Sequence, residues 1–239
     1  MAYVHGKSTA VLYGAANLSP YFNEATASRS VETAETTAFG DSAKTYIVGL
    51  QDGTLSLSGM FDGNTGAVDE TLSATVGADA NDVISVAPEG LSVGKAAYSA
   101  AVKQVSYEVT SPVGDVVAAS MEVQADGGVD RGIVLAGAAA VTANGTGAAQ
   151  DNGASSANGG AAYLHVTANT RNGSSTFKVQ HSSDNVTFVD LATFTAVGTS
   201  TTAAERVVVA GTVNRYLRAS HTPGGSTGSV TYSMTFARR

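Results

Sequence analysis

Cysteine and tryptophan are both absent from this chain of 239 residues. Without thiols, neither disulfide bonds nor thiolate metal sites can stabilise the fold. Proline occurs only 4 times and charged residues make up 14% of the chain, whereas glycine occurs 27 times. Residues that favour helices are sparse, and Thr, Val, Ser and Tyr dominate the patterned stretches. This composition favours β-strands joined by glycine-rich turns.

Long apolar segments are missing as well. No run approaches the roughly 18 apolar residues that a membrane-spanning helix needs. The first seven residues, MAYVHGK, lack the uninterrupted apolar stretch of a signal peptide. We therefore expect a soluble protein that is assembled in the cytoplasm, without membrane insertion.

Acidic and basic residues are divided unevenly along the chain. Residues 1–131 contain 6 Lys and Arg against 16 Asp and Glu, a net charge of −10, whereas residues 132–239 contain 7 against 4, a net of +3. Such a difference predicts two domains, 1–131 and 132–239, that face different surroundings. The alternative is that the acidic surface simply keeps the first domain soluble.

The first half shows alternating strand patterns and one helical pattern. Residues 30–39 are evenly polar and predict an exposed arm or an edge strand. Residues 43–49 and 54–61 flank an Asp-Gly pair, which predicts a hairpin that turns at residues 51–53. A second hairpin is predicted from residues 102–110 and 116–124. Apolar residues at Val68, Leu72 and Val76 predict the one helix, over residues 64–76, with Gly77 as its C-terminal stop.

The second half shows the regular strand spacing of a β-sandwich. Predicted strands are 161–168, 176–181, 188–197, 205–209, 215–221 and 230–237. The segment 144–160 is rich in Gly, Asn and Ser and is either a flexible linker or the long loops of a sandwich that begins near Ile133. We favour the loops, because residues 133–135 and 139–143 still resemble short strands.

Two stretches of the sequence carry a resemblance to a known family. The segment ETAETTAFGDSAKTYIVGLQDGTLSLSGMFDG, residues 32–63, resembles the centre of bacteriophage tail tube, or major tail, proteins. The stretches FKVQHSSDNVTFVDLATF (177–194) and GTVNRYLRAS (211–220) resemble the jelly-roll domains appended to such proteins and, more distantly, galactose-binding-like modules. The resemblance implies an all-β chain in which a tail-tube β-sandwich or barrel with one short helix precedes a second, jelly-roll-like β-sandwich.

The resemblance also implies a function. Six copies would form a ring, and rings would stack into the tail tube of the virion, a channel for phage DNA that passes without specific binding. Partners would be further copies of the chain and the tail proteins at the tube ends, and residues 132–239 would form an outer decoration domain. The alternative is a carbohydrate- or cell-surface-binding module that contacts host glycans through residues 132–239, which would require an aromatic platform on the loops.

An acidic, hydroxyl-rich sheet suits a DNA channel because each phosphate neutralised by a basic group adds affinity through counterion release. The polar sides of the predicted strands supply the candidate lumen-facing residues, although ordinary solvent exposure would give the same pattern. They are Thr54, Ser56, Ser58, Gln104, Ser106, Glu108, Ser120, Glu122 and Gln124. The candidate inter-subunit residues are Tyr3, Val11, Tyr13, Glu32, Glu35 and Phe39.

Catalytic, cofactor and metal patterns are not found in the sequence. The four histidines, His5, His165, His181 and His221, lack metal-ligand spacing, and no nucleophile elbow, zinc-protease or P-loop motif occurs. Asp126, Asp130 and Asp151 lie among glycines, where a loop calcium site is conceivable, but solvated turns fit them better. We therefore predict a structural protein without enzymatic activity or cofactors.

Overall fold

A computed structural model describes residues 3–239, which form an all-β chain with one short α-helix. This confirms the predicted fold class. The first elements are β1 (Ala10–Tyr13), β2 (Ala16–Asn17), β3 (Phe22–Glu35), β4 (Tyr46–Met60), α1 (Val68–Ser73), β5 (Asp82–Ala87), β6 (Ala96–Thr110) and β7 (Ala118–Ala125). Then follow β8 (Asp130–Val141), β9 (Gly145–Thr146), β10 (Gln150–Asp151), β11 (Gly160–Asn169), β12 (Thr176–Ser182), β13 (Val189–Thr193), β14 (Ala203–Val209), β15 (Tyr216–Thr222) and β16 (Val230–Arg238).

The strands form two antiparallel sheets. The large sheet has eleven strands, with the main order β14-β11-β16-β8-β6-β5-β1-β2, and it also contains the neighbours β6-β7-β4-β3. The small sheet has five strands in the order β10-β15-β12-β13, with β9 beside β15. Strand β8 pairs with both β6 and β16, so the large sheet passes from the first half of the chain into the second.

Two hydrophobic cores lie on this framework. In the first core, alternate residues of β4 and β7 pack with the helix, through Leu57, Met121 and Leu72. In the second, the large sheet packs face to face on the small sheet, so that Leu164 of β11 meets Phe177 of β12. The division of the chain into domains at residue 131 stays a prediction.

The predicted turn at Asp52-Gly53 is wrong. Residues 46–60 are one strand, and Asp52 and Gly53 pair with Ser30 and Arg29 of β3 in its middle. An Asp-Gly pair makes a hairpin only when its two flanks pair with each other, whereas here both flanks pair with the fourteen-residue β3. The glycine serves close packing instead, because a Cβ at Gly53 would lie 2.7 Å from the carbonyl oxygen of Ser28.

Most other predicted elements are confirmed. The hairpin of β6 and β7 and the strands of the second half occur near the predicted positions, although β13 is shorter. Residues 144–160 contain β9 and β10, which pair with β15, so this segment belongs to the sandwich. The helix is shorter than predicted: Val68 and Leu72 are buried, but Val76 is exposed and lies beyond the C-terminus of the helix.

A buried chain of hydrogen bonds joins the two halves of the molecule. His165 of β11 is 0% exposed, and its Nδ1 lies 2.8 Å from the carbonyl oxygen of Gly14. Its Nε2 lies 2.8 Å from the hydroxyl of Ser85, which contacts Ser99, and Ser99 contacts Thr235 of β16. Nδ1 therefore donates to the carbonyl oxygen, which can only accept. Burial lowers the pKa of His165 and favours the neutral imidazole, in which Nε2 accepts from the Ser85 hydroxyl.

Asp130 forms a second polar contact between the halves. Its side chain is 8% exposed and accepts a 2.5 Å hydrogen bond from the hydroxyl of Tyr163. Arg206 and Arg239 place guanidinium nitrogens 3.5 and 3.3 Å from the same carboxylate oxygen. Burial raises the pKa of the Tyr163 phenol, so it remains a donor. A buried carboxylate is thus compensated by groups from the opposite half.

Arg171 fixes the loop between β15 and β16. The residue is 3% exposed and donates to the carbonyl oxygens of Gly224 at 2.7 Å, Gly228 at 2.6 Å and Gly225 at 2.8 Å. The Nη1 atom of Arg171 also donates to the carbonyl oxygen of Thr142, directly after β8, at 3.2 Å. Only a planar guanidinium presents donors in several fixed directions at once.

We expect the stability of the protein to fall as the pH decreases from 6.5 toward 4, because of His165. Burial lowers the pKa of His165 to about 4 from its ordinary value of 6.5. The unfolded chain therefore binds a proton that the folded chain does not, and the stability present above pH 6.5 is lost on acidification. The limiting loss is about 3 kcal/mol.

Urea unfolding at several pH values measures this effect. His165→Gln, whose amide can both donate and accept, should unfold with less pH dependence between 6.5 and 4. His5→Gln is the matched control, because His5 is exposed and lies outside both cores. Equal pH dependence of wild type and His165→Gln would contradict this assignment.

We expect Arg171→Lys to destabilise the protein by about 3 kcal/mol, because a single ammonium group leaves several buried carbonyl oxygens without donors. Denaturant unfolding of the variant gives the value. Arg131→Lys is the control, since Arg131 is exposed. An unchanged midpoint for Arg171→Lys would show that the loop does not depend on the guanidinium.

Candidate assembly surface and polar sheet face

One face of the four-stranded segment β3-β4-β7-β6 is polar, while the other covers the first core. Two rows of side chains cross this face from strand to strand. One row contains Thr26, Ser56, Glu122 and Ser106, and the next contains Glu24, Ser58, Ser120 and Glu108. The opposite sides of β4 and β7 carry buried residues such as Leu57 and Met121. We call the exposed side the polar face: Glu24, Thr26, Ser28, Thr54, Ser56, Ser58, Ser106, Glu108, Ser120, Glu122 and Gln124.

The charge of the polar face is negative. A shallow depression of about 300 Å³ on it is lined by Glu24, Glu108 and Glu122 together with serines and threonines. No lysine or arginine lines this depression within the described part of the chain. A phosphate placed there would meet carboxylates and hydroxyl groups, and Lys103 of β6 lies in the next row of the sheet, opposite Gln124.

Gln104 is a correction to the set of candidate lumen-facing residues. It is 4% exposed and points to the core side, where its amide oxygen accepts hydrogen bonds from Tyr13, at 3.3 Å, and Thr75. The reason is a β-bulge between Gln104 and Ser106, which changes the alternation of side chains along β6. The other eight candidates lie on the polar face. That these residues line a channel stays a prediction.

Three residues of the polar face were missed by the sequence interpretation, namely Glu24, Thr26 and Ser28 of β3. The segment up to Ser30 has the composition of a polar loop. The signal that could have identified it is the alternation of these residues with Ala25 and Ala27, which pack against the first core.

The four-stranded segment has two open edges. Within residues 3–239, β3 pairs with β4 alone, and β6 beyond Val102 pairs with β7 alone. Among the described residues, the one backbone hydrogen bond to the edge of β6 runs from the amide of Gly77 to the carbonyl oxygen of Gln104, and the side-chain amide of Gln104 donates to the carbonyl oxygen of Ser106. Because consecutive strands are antiparallel, the edges of β3 and β6 run in opposite directions and could pair between two copies.

The distal parts of β3 and β4 form a hairpin that leaves the body of the molecule. We call residues 28–52 the arm, and every residue in it is exposed. Its strands continue to pair, through Thr33 with Val48 and Glu35 with Tyr46. Val48 and Leu50 are each 77% exposed, and Phe39 at the tip is fully exposed. Such apolar exposure indicates a contact surface.

The structure separates the candidate inter-subunit residues into two groups. Glu32, Glu35 and Phe39 lie on the arm, and Tyr3 is also exposed. Val11 and Tyr13 are corrections, because they are 2% and 1% exposed in the first core. Val11 and Tyr13 are two residues apart on β1, so both side chains point to the same face of the sheet, where they pack in the first core.

The three aspartates for which a loop calcium site was conceivable have separate partners. Asp130 contacts Tyr163 and two arginines, Asp126 accepts from Asn81, and Asp151 forms a bidentate pair with Arg215 at 2.7 and 2.6 Å. This pairing lowers the pKa of Asp151 to about 2. Among the described residues, no group of three or more His, Asp or Glu side chains is placed to hold a metal ion.

The aromatic residues of the second half are mostly internal. Tyr163, Phe177, Phe194, Tyr232 and Phe236 are at most 3% exposed. Phe188 and Tyr216 are half-buried, and each carries an arginine over its ring, with Arg218 at 3.8 Å and Arg215 at 5.0 Å from the centroids. An arginine therefore occupies a face of each ring that a sugar would need for stacking. Within residues 3–239, no helix is long and apolar enough to span a bilayer.

Comparison with known proteins gives weak structural likenesses. No family model matches the chain, and no curated protein matches it in sequence. A chain of the virion of a native gene transfer agent particle aligns with 54% of this chain and 98% of its own length, at 11% identity and a TM-score of 0.44. A chain of the tail of an empty gene transfer agent particle, refined with C6 symmetry, covers 53% and 97%, at 12% identity and a TM-score of 0.42.

The Dit protein of phage SPP1, a hub of the adsorption apparatus, covers 95% of this chain and 98% of its own length, at 15% identity and a TM-score of 0.36. These three TM-scores lie below 0.5, and the likenesses do not assign a function to this chain.

Proposed function

We propose that this chain is a structural subunit of a phage-type tail tube, which assembles into hexameric rings that stack around a channel for DNA. The observation that carries the proposal is the four-stranded segment β3-β4-β7-β6, which combines two open edges with one acidic face and one buried face. The resemblance of residues 32–63 to tail tube proteins supports the same function.

Edge pairing explains how a ring would form. The edge of β3 in one copy would pair with the edge of β6 in the next, because the two edges are antiparallel to each other and lie on one chain. Repetition around a ring would close the sheet into a barrel and satisfy the open edges of all copies. The first core lies behind each segment, so the polar face would line the interior.

The acidic polar face explains how DNA would pass. Each copy contributes Glu24, Glu108 and Glu122, whose carboxylates repel phosphate, while the serine and threonine hydroxyls remain hydrated. Residues 132–239 would lie outside the channel, since the large sheet carries them away from the polar face through β8. The partners at the tube ends would be other tail proteins.

We expect the double variant Val48→Asp/Leu50→Asp to fold normally but to lose assembly. Both side chains are 77% exposed, so their replacement removes no core contact, whereas burial in an interface would place two carboxylates in apolar surroundings. Sedimentation velocity and electron microscopy measure assembly, and circular dichroism measures folding.

Val186→Asp is the matched control for this test, because Val186 is 81% exposed and lies in the second half, away from the arm. Rings or tubes are expected from the control and from wild type. Tubes formed equally well by the double variant would exclude the arm from the interface, and a wild-type chain that stays monomeric at all concentrations would overturn the proposed function.

We expect Glu122→Lys to make assembled tubes retain DNA. Each hexameric ring would then carry six additional lysines, which would neutralise phosphates along the channel. Tubes assembled with a short DNA duplex and then sedimented give the retained fraction, which should fall as salt rises. Asp190→Lys changes the net charge equally but lies on β13 of the small sheet, where Asp190 is exposed, away from the polar face. Equal retention by both variants would show that Glu122 does not face the channel.

A further inference from the structure

The small sheet has one side packed on the second core and one polar side that faces outward. On β12 and β15 the outward residues alternate with buried ones. Gln180 lies directly opposite Arg218 of β15 and Asp190 of β13, and Lys178 lies opposite Ser220. Residues that lie opposite each other on antiparallel strands share a side of the sheet. We call this side the outer face: Lys178, Gln180, Asp190, Arg218 and Ser220.

A network of contacts across the three strands fixes the guanidinium group of Arg218. Its Nε donates to the amide oxygen of Gln180 at 2.9 Å, and the amide nitrogen of Gln180 donates to Asp190 at 2.9 Å. The Cζ atom of Arg218 lies 3.8 Å from the centroid of the Phe188 ring, which supports the cation from one side. The guanidinium is therefore oriented before any ligand binds.

The two terminal nitrogens of Arg218 are available to a ligand. Within residues 3–239, only the Nε atom of Arg218 forms a hydrogen bond, so Nη1 and Nη2 keep all their N–H donors. No carboxylate in this part of the chain lies within ion-pair distance of Arg218. Two parallel N–H donors of a guanidinium fit the two oxygens of a carboxylate.

The acidic groups near Arg218 all have other partners. Asp190 accepts from Lys178 at 2.6 Å, and this contact lowers the pKa of Asp190. Asp151 is paired with Arg215, and Asp184 accepts from backbone N–H groups of its own turn. These carboxylates leave Arg218 without an anion, but they would repel a multiply charged ligand. The site therefore suits a singly charged group.

The outer face lacks the apolar centre of a protein interface. The exposed large apolar residues among the described part of the second half are Val186, Val189 and Val208. Val186 lies in the turn before β13, Val189 points to the opposite side of β13 from Asp190, and Val208 lies on β14. Specific protein interfaces bury a more apolar centre than such a face provides.

Hydroxyl and amide groups surround the guanidinium instead. Ser220 follows Arg218 on the same side of β15 and lies opposite Thr146 of β9. A chain of sugars presents hydroxyl groups that such side chains can bind in a hydrated contact. Because Arg218 covers one face of the Phe188 ring, a charged sugar fits this surface better than a neutral sugar that needs to stack.

We propose that the outer face binds an acidic polysaccharide. Arg218 holds a carboxylate of the sugar chain through Nη1 and Nη2, and Ser220 and Thr146 bind neighbouring sugar hydroxyls. This inference is separate from the proposed function, because the site lies within one copy. In an assembly of many copies the same site would repeat and strengthen binding to a long polymer.

Binding of the purified protein to immobilised polygalacturonate, measured by biolayer interferometry, tests the site. The net charge of −7 opposes nonspecific binding of a polyanion. Wild type is expected to bind, and Arg218→Gln is expected to bind about tenfold more weakly, because it removes the charge and the paired donors. Arg131→Gln is the matched control: it removes the same charge from an exposed position on β8 and should bind as wild type does.

Two further variants separate the site from the fold. Gln180→Glu keeps Arg218 but places a carboxylate directly opposite it, so binding should again be about tenfold weaker. Arg218→Lys keeps the charge without the paired donors and should lie between wild type and Arg218→Gln. Circular dichroism and urea unfolding report whether each variant folds. Absence of binding by wild type, or equal binding by wild type, Arg218→Gln and Gln180→Glu, would overturn the proposal.

Other polymers identify the partner class. Neutral dextran should not bind. Polyglutamate or poly(glycerol phosphate) that binds more tightly than polygalacturonate would show that the site serves a polypeptide or a phosphodiester polymer, and would overturn the assignment to a polysaccharide. A protein that binds polygalacturonate through Arg218 but never forms tubes would overturn the tail-tube proposal alone.

Discussion

Backbone N–H and C=O groups at the edge of a β-sheet must find partners, and this constraint governs the arrangement of the chain. Along β6, the strands β7 and β8 follow each other on one side, so that a single strand holds both halves of the molecule. On the other side, the pairing of β5 with β6 ends where Asp82 meets Val102, and the rest of that edge of β6 has no partner strand within the described residues. The position where β5 ends therefore creates the edge on which the proposed assembly depends.

The two halves are joined by polar contacts as well as by the sheet. His165, Ser85 and Ser99 form a buried hydrogen-bonded chain between them, and Asp130 meets Tyr163 and two arginines nearby. Buried polar groups need specific partners, so they fix the orientation of the two cores more strictly than apolar packing alone. A rigid body of this kind suits a subunit whose edges must align with those of its neighbours.

The arm combines regular hydrogen bonding with complete exposure. A two-stranded hairpin is only marginally stable by itself in water, but here β3 and β4 are anchored at their base by β7 and by the first core. The exposed part of the hairpin can therefore keep its conformation without a second surface against it. Its apolar residues gain a burial environment only when a second surface covers them.

The sequence by itself determined the strand content, the alternation of buried and polar residues, and the core positions of the second half, because period-two patterns such as Val230, Tyr232, Met234 and Phe236 depend only on local geometry. Only the tertiary structure decided three other points. Gly53 lies within β4, where it allows close packing, and does not form a turn, because β3 is long enough to pair with the residues on both sides of Gly53. The side chain of Gln104 points to the core because of the bulge in β6, and the side chain of Val11 is buried in the first core. Both positions depend on strands that are distant in sequence, because these strands determine which face of the sheet is buried.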